Sequence, residues 1–108
     1  MTKIAIVTGG TRGIGASISK KLKSSNFKVI ANYTSNDDAA ESFSKENNIE
    51  VFKWDVSDYD GCQKSIKKIY EDNKNIDILV NNAGITRDAP LHKMSKDNWQ
   101  KVIDVNLN

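Results

Sequence analysis

The chain has 108 residues and a formal net charge of +2 at pH 7; 38% of its residues are hydrophobic and 28% are charged. This length allows one small domain, so residues 1–108 are predicted to form a single core. A small, evenly spread charge argues against a nucleic-acid partner, and no apolar run approaches the roughly 20 residues that span a membrane. A strand pattern follows directly on the first residues, which leads us to expect a cytoplasmic protein without a signal peptide.

Strand patterns and helix patterns alternate along the chain with short connections, which is typical of a parallel sheet covered by helices. Strands are predicted over 3–8, 27–33, 49–54 and 76–80, and helices over 13–25, 37–47, 57–74 and 95–107. Right-handed crossovers between these strands give the strand order 3-2-1-4. The expected fold is therefore α/β, the N-terminal half of a Rossmann-type doubly wound parallel sheet.

Apolar spacing and capping residues define the predicted helices. In the first helix, Ile14, Ile18 and Leu22 recur every four residues and are expected to face the core. Asn36 is expected to cap the second helix, and the S-x-x-D pattern at 57–60 resembles a capping box at the start of the third. The single cysteine, Cys62, lies on the apolar stripe of the third helix, which indicates a core residue and excludes an internal disulfide and a cysteine-rich metal site.

The last predicted helix is expected to begin at Ser95 and to bury Trp99, Val102, Ile103 and Leu107. The fourth strand is apolar, and no strand pattern follows it. Its outer edge is therefore predicted to lack a partner and to invite association with another chain. The only histidine, His92, lies in the polar loop before this helix and is interpreted as a surface residue.

A glycine-rich turn between the first strand and the first helix is the most informative segment. Glycines there can adopt positive φ and let the backbone approach a ligand, while the helix N-terminus attracts phosphate. The spacing G-x-x-x-G-x-G differs from both the common dinucleotide fingerprint and the P-loop. A tight turn without a ligand is the alternative interpretation. The candidate phosphate-binding residues are Thr8, Gly9, Gly10, Thr11, Arg12, Gly13, Ile14 and Gly15.

Two more polar segments end predicted strands at the same edge of the sheet. The third strand ends in Asp55-Val56, and the fourth ends in Asn81, Asn82, Ala83 and Gly84. Ligands of such sheets bind beyond the carboxyl ends of the strands. Each segment alone could be a turn that uses Asp, Asn and Gly for backbone reasons. Together they favour a ligand site at this edge.

These motifs, in this order and spacing, resemble those of the short-chain dehydrogenase/reductase family along the whole chain. The resemblance implies that the glycine turn binds a dinucleotide, that Asp55 and Val56 contact its adenine ring, and that Asn82, Ala83 and Gly84 belong to the N-N-A-G motif. Segment 84–88 and the pattern of 94–107 are similar to the 3-oxoacyl-thioester reductases of the family. Trp54 and segment 91–95 favour acetoacetyl-CoA over an acyl-carrier-protein thioester as the substrate.

The cofactor prediction follows from the end of the second strand. A carboxylate about 20 residues past the glycine turn binds the ribose 2′-hydroxyl of NAD, whereas NADP needs positive charge for its 2′-phosphate. The segment from Asn32 through Thr34 contains no acid before Asp37, and Arg12 is available in the turn. The sequence therefore predicts NADPH, with Thr34 and Arg12 at the phosphate. Arg12 as a solvated loop residue is the alternative.

The chemistry of the family also needs groups that this sequence does not supply. Resemblance implies that Asn106 is the active-site asparagine that supports a proton-relay water; a buried amide that ties down a neighbouring strand is the alternative. The family's catalytic serine and Tyr-x-x-x-Lys pair are expected beyond residue 108. Tyr70 and Lys74 have the right spacing, but they lie before the fourth strand, at the wrong end of the sheet.

The expected function is NADPH-dependent reduction of a 3-oxoacyl thioester to the 3-hydroxyacyl thioester, with the chain as the cofactor-binding half and inactive alone. Its expected partners are the nucleotide and a separately encoded C-terminal half. The alternatives are a non-catalytic nucleotide-binding remnant, a fragment of an acyl-carrier-protein reductase, and an interaction protein that pairs with an intact relative. No nucleic acid, membrane or metal is expected to bind.

Overall fold

The computed structural model describes residues 2–82 and the backbone of residues 103–106. Its strands are Ile4–Val7 (β1), Lys28–Tyr33 (β2), Glu50–Lys53 (β3), Ile78–Asn81 (β4) and Ile103–Asn106 (β5). Its helices are Gly13–Ser24 (α1), Asp37–Asn47 (α2) and Tyr59–Asn73 (α3). Apart from one or two residues at their ends, these elements up to β4 are those that the sequence predicts.

The strands form one parallel sheet in the order β3-β2-β1-β4-β5, which confirms the predicted order of the first four strands. β1 lies at the centre, where Ala5 pairs with Val29 of β2 and with Ile78 of β4. All four residues of β1 are buried. A strand that is covered on both faces consists of apolar residues without alternation, as Ile-Ala-Ile-Val does.

β5 corrects two predictions at once. Residues 103–106 are a strand and not the end of a helix, and they pair in parallel with β4, whose outer edge is therefore not free. The physical reason is that Ile103 and Val105 are β-branched and fit a pleated strand, while β4 offers a row of unpaired backbone groups. Pairing with that edge satisfies these groups. The rest of the predicted last helix lies outside the described residues.

Two apolar clusters fill the two sides of the sheet, because successive side chains of a strand point to opposite faces. The first core cluster, on the side of α3, consists of Ile4, Ile6, Ile30, Trp54, Cys62, Ile66, Ile69, Ile76 and Leu79. The second core cluster, on the side of α1 and α2, consists of Val7, Val29, Ala31, Phe43, Ile49 and Val80. The burial of Cys62 confirms its predicted place in the core.

In the first turn of α1, the residue predicted to face the core is exposed instead. Ile18 and Leu22 pack against the second core cluster, but the Ile14 side chain is 71% exposed. Ile14 lies in the first turn of α1, which follows the carboxyl end of β1, whereas Ile18 and Leu22 lie in later turns. Gly15 and Ser19 are the buried residues of this helix instead.

Of the two predicted helix caps, the one at Asn36 is confirmed and the capping box at 57–60 is wrong. Asn36 caps α2, since its side chain accepts a hydrogen bond from the Ala39 N–H at 3.1 Å. The predicted capping box at 57–60 does not form, because α3 begins at Tyr59 and the Ser57 hydroxyl donates to Asp55 instead. No helix within residues 2–82 combines the length and the apolar character that a membrane crossing requires.

Candidate functional site

The carboxyl ends of β1 to β4 meet at one edge of the sheet, as in every parallel sheet of this kind. This edge carries the glycine turn after β1, residues 34–36 after β2, residues 54–57 after β3 and Asn82 after β4. The structure therefore brings together the segments that the sequence singles out in residues 8–82. Ala83 and Gly84, which complete the N-N-A-G motif, lie outside the described residues.

The backbone of the glycine turn requires residues without side chains. Gly9 has φ +61° and Gly13 has φ +54°, both in the left-handed region that favours glycine. Gly13 is exposed, and a Cβ there would meet nothing within 4 Å, so its glycine serves the backbone conformation alone. The turn can thus reverse direction between β1 and α1 within a few residues.

Two other glycines lie where no side chain fits. A Cβ on Gly15 would overlap the carbonyl oxygen of Gly9 and come within 2.6 Å of the Asn82 side-chain nitrogen. A Cβ on Gly10 would come within 2.8 Å of both the Ser19 hydroxyl and the Val7 carbonyl oxygen. The first turn of α1 is therefore packed directly on the backbone of the glycine turn, which gives the whole segment a fixed shape.

Hydrogen bonds from β4 hold one side of the glycine turn. The buried Thr8 hydroxyl accepts from the Asn82 N–H at 2.8 Å and donates to the Val80 carbonyl at 3.3 Å. The Asn82 side-chain N–H donates to the Gly9 carbonyl at 3.3 Å. Thr8 and Asn82, both predicted site residues, therefore join the ends of the two central strands.

Asn32 of β2 holds the other side of the turn, a role that the sequence alone does not predict. Its side-chain oxygen accepts from the Gly9 N–H and its carbonyl oxygen accepts from the Gly10 N–H, both at 3.0 Å. Ser19 likewise donates from its hydroxyl to the Gly10 carbonyl at 2.9 Å. A polar residue after an apolar stretch is the signal that could identify Asn32, since a buried polar group needs a partner.

The N-terminus of α1 is open to an anion. Arg12 occupies the N-cap position, its side chain makes no capping hydrogen bond, and the first turn contains no acidic residue. The first backbone N–H groups of a helix carry partial positive charge and attract phosphate. The exposed Ile14 side chain lies in the same turn, so an apolar surface borders this positive end.

A cleft of about 150 Å³ lies beside the glycine turn. Its walls are Gly9, Thr11, Arg12, Tyr33, Thr34, Ser35 and Asn36. Thr34 and Arg12 are predicted cofactor residues, and the structure places them in one cleft. Tyr33, Ser35 and Asn36 are additions to the predicted set. None of the lining residues is a carboxylate, so the cleft offers hydroxyl and amide groups and one positive charge.

The first carboxylate after β2, that of Asp37, is bonded on the side of β3. Tyr33 donates its phenol hydroxyl to Asp37 at 3.0 Å, and the Lys53 ammonium lies 3.3 Å from the same carboxylate. The hydrogen bond from Tyr33 and the contact with Lys53 hold the pKa of Asp37 below its ordinary value. The Asp37 carboxylate is thus paired with Lys53 at the surface of the chain.

Asp55 forms the turn that its sequence position also suggests. Its side chain accepts from the Ser57 hydroxyl at 2.7 Å and from the Ser57 N–H at 2.9 Å. These two hydrogen bonds lower the pKa of the Asp55 carboxyl, which is exposed to solvent. Val56 is half-buried and packs against the first core cluster. The pair therefore has a fixed conformation at the end of β3.

The Tyr70–Lys74 pair lies away from this edge, as its place before the fourth strand predicts. Tyr70 is in the last turn of α3 and packs against the first core cluster, while Lys74 ends the helix with φ 70°. Both precede the amino end of β4. Asn106 is the last residue of β5 and pairs with Asn81, so its backbone lies at the carboxyl edge of the sheet.

Comparison with known proteins shows which family the chain is similar to and which members of that family resemble it in sequence. A sequence model of the short chain dehydrogenase family matches residues 3–108. Acetoacetyl-CoA reductase of Paracoccus denitrificans is 56% identical over 107 residues, and that of Shinella zoogloeoides is 55% identical over the same length. These alignments cover 99% of this chain and 44% of each relative, so the chain spans less than half the length of these relatives.

A solved structure supports the same comparison. Actinorhodin polyketide ketoreductase, solved with NADPH, superposes with a TM-score of 0.71 at 26% sequence identity. The superposition covers 78% of this chain and 34% of the ketoreductase. The described sheet and helices therefore share their fold with part of a ketoreductase whose structure contains NADPH.

Proposed function

Because this chain belongs to the short-chain dehydrogenase family, we propose that it binds NADPH and forms the cofactor-binding part of a reductase. The proposed reaction converts a 3-oxoacyl thioester, acetoacetyl-CoA first of all, into the 3-hydroxyacyl thioester. The observation that carries the proposal is the cleft beside Arg12, which contains a cation, hydroxyl side chains and no carboxylate among its lining residues.

The residues of this edge fit a dinucleotide. The diphosphate would lie against the glycine turn and the open N-terminus of α1, where the space around Gly13 is open. Asp55 and Val56 would contact the adenine ring, and the exposed Ile14 would offer an apolar surface to the rest of the cofactor. The segment from Asn82 through Gly84 would border its other half. When bound, NADPH supplies a hydride to the carbonyl carbon of the substrate.

The preference for NADPH over NADH rests on charge. A guanidinium binds a phosphate through charge-assisted hydrogen bonds, and Arg12 lines the cleft together with Thr34 and Ser35. An NAD site would instead need a carboxylate free to accept from the ribose hydroxyls. Asp37, the first carboxylate after β2, is engaged by Tyr33 and Lys53.

The substrate proposal rests on the relatives, since the sequence itself lacks the family's catalytic pair at this edge. Reduction of the carbonyl needs a proton donor, and in this family a tyrosine assisted by a lysine donates that proton. The only Tyr-x-x-x-Lys match in the chain, Tyr70–Lys74, lies at the opposite end of the sheet. We therefore propose that residues 1–108 contribute cofactor binding, and that Asn106 takes part in the proton relay together with a serine, a tyrosine and a lysine from the remaining part of the reductase.

Calorimetric titration of the chain with NADPH and with NADH tests the cofactor proposal. We expect NADPH to bind more tightly than NADH. Arg12→Ala should weaken NADPH by about tenfold to a hundredfold while leaving NADH unchanged, since a hydrogen bond to a charged group contributes about 1.5–3 kcal/mol. Lys20→Ala is the matched control, because it removes a positive charge from the same helix at an exposed position outside the cleft.

The possible outcomes separate the parts of the proposal. Equal affinity for both nucleotides, or an equal effect of Arg12→Ala on both, would contradict the role of the cleft in choosing NADPH. Binding of neither nucleotide would contradict the cofactor-binding function altogether.

A further inference from the structure

Asn32 is a fully buried polar residue in the apolar strand β2, where it follows Val29, Ile30 and Ala31. An amide group that leaves water without finding hydrogen bonds destabilises the folded state. A residue of this kind is therefore costly in a strand unless its side chain is fully engaged. The hydrogen bonds of Asn32 show what engages it.

Both polar atoms of the Asn32 side chain have backbone partners outside β2. The oxygen accepts from the Gly9 N–H at 3.0 Å, and the nitrogen donates to the Trp54 carbonyl at 2.9 Å. The side chain thus joins the glycine turn after β1 to the end of β3. Its own carbonyl oxygen accepts from the Gly10 N–H at 3.0 Å.

Gly9 and Gly10 are consecutive, and one residue accepts hydrogen bonds from both of their N–H groups. Two such bonds to the same buried residue fix the height and the tilt of the turn relative to the sheet. The bond to the Gly9 N–H also holds Gly9 at φ +61°, and Gly9 in turn supplies the carbonyl against which Gly15 packs. Displacing Gly9 would therefore displace the first turn of α1.

We infer that Asn32 is a positioning residue that holds the glycine turn in its phosphate-binding conformation. It does so through the Gly9 N–H and the Trp54 carbonyl, and it need not touch the ligand itself. The expected effect on binding of a 5′-diphosphate rests on the proposed function. The structural part of the inference rests on the hydrogen bonds of Asn32 and is tested at the Gly9 N–H.

The test compares Asn32→Ala with Asn47→Ala. Asn47 donates from its side chain to the Phe43 carbonyl at 3.0 Å near the end of α2, away from the glycine turn. The probes are adenosine 5′-diphosphate, whose diphosphate needs the turn, and adenosine 2′-monophosphate, whose phosphate would occupy the cleft of Arg12. Hydrogen exchange of the Gly9 and Gly10 N–H groups, followed by nuclear magnetic resonance, reports the turn directly.

We expect Asn32→Ala to weaken the 5′-diphosphate about tenfold or more and the 2′-monophosphate by less than about threefold, with Gly9 exchanging at least about tenfold faster. Asn47→Ala should change none of these three quantities. An equal loss for both nucleotides would overturn the inference, because a general loss of stability acts on both.

Exchange in the unsubstituted chain provides a second test, which does not depend on how the variants fold. A Gly9 N–H that exchanges as fast as an exposed loop amide would overturn the inference. If the unsubstituted chain binds neither nucleotide, the proposed function fails, while the exchange of Gly9 still decides the role of Asn32.

Discussion

Gly15 is the residue at which the site has the least room. A Cβ at this position would overlap the Gly9 carbonyl oxygen, so Gly15→Ala must push α1 and the glycine turn apart. Inserting atoms into a closely packed place costs about 1–3 kcal/mol. We expect a fall in the unfolding temperature and at least about a tenfold weaker NADPH affinity, measured by calorimetry.

Gly61→Ala is the matched control for this substitution. A Cβ on Gly61 would lie 2.8 Å from a carboxylate oxygen of Asp58, a flexible side chain that can turn away. Gly61 also lies in the first turn of α3, where alanine favours the helix more than glycine does. Unchanged or higher stability is expected. NADPH binding by Gly15→Ala at the unsubstituted affinity would contradict the described contact between α1 and the turn.

Individual site residues can be predicted where the residue type itself has a mechanism. Glycines between a strand and a helix, and an arginine beside them, indicate phosphate from the sequence alone. Asn32 cannot be found in that way, because its partners Gly9 and Trp54 are distant in sequence. The exposure of Ile14 also escapes prediction, since helical periodicity does not say where the sheet beneath a helix ends.

At the scale of elements, the N-terminus of α2 combines a structural and a binding role in one residue. Asn36 caps the helix by accepting from the Ala39 N–H, and it also lines the cleft beside Arg12. We expect Asn36→Ala to destabilise the chain by about 1 kcal/mol, which lowers the unfolding temperature by about 4–8 °C. Thermal unfolding followed by circular dichroism measures this change.

Asn36→Asp separates the two roles of this residue. An aspartate retains the capping acceptor and suits a helix N-terminus, so stability should be kept. The same carboxylate would repel a 2′-phosphate in the cleft, so the preference for NADPH over NADH should fall. A stable Asn36→Asp variant with an unchanged preference would contradict the placement of the 2′-phosphate in this cleft.

The order and type of the elements up to β4 can be predicted, because alternating apolar strands and amphipathic helices have few arrangements in a parallel sheet. The structure of the final segment, residues 103–106, cannot be predicted in the same way. Val102, Ile103 and Leu107 fit a helical spacing, yet residues 103–106 lie in a strand. The open edge of β4 decides between the two, and that edge exists only in the folded molecule.

At the scale of the whole molecule, we propose that residues 1–108 work together with the part of the reductase that they do not contain. The chain covers 44% of the acetoacetyl-CoA reductase from Paracoccus denitrificans. We expect coexpression with a polypeptide that carries the remaining part of that relative to yield a complex that oxidises NADPH with acetoacetyl-CoA. Copurification and the loss of NADPH absorbance measure the two steps separately.

Each polypeptide alone should be inactive in this experiment. A complex that contains Gly15→Ala should assemble but oxidise NADPH slowly, because its cofactor affinity is reduced. Failure of the two polypeptides to associate would contradict the proposed partner. Association without oxidation of NADPH would contradict the proposed reaction.

The central position of β1 has a consequence for the order in which the molecule is made. β1 is synthesised before β4, so Ala5 pairs with Ile78, and the Thr8 hydroxyl meets Asn82, only after residues 78–82 have left the ribosome. The proposed nucleotide site is therefore completed only after β4 has been synthesised, although the glycine turn is made much earlier. A nucleotide that binds only the completed site stabilises chains that have already paired β4. It cannot guide the folding of the segments that come before.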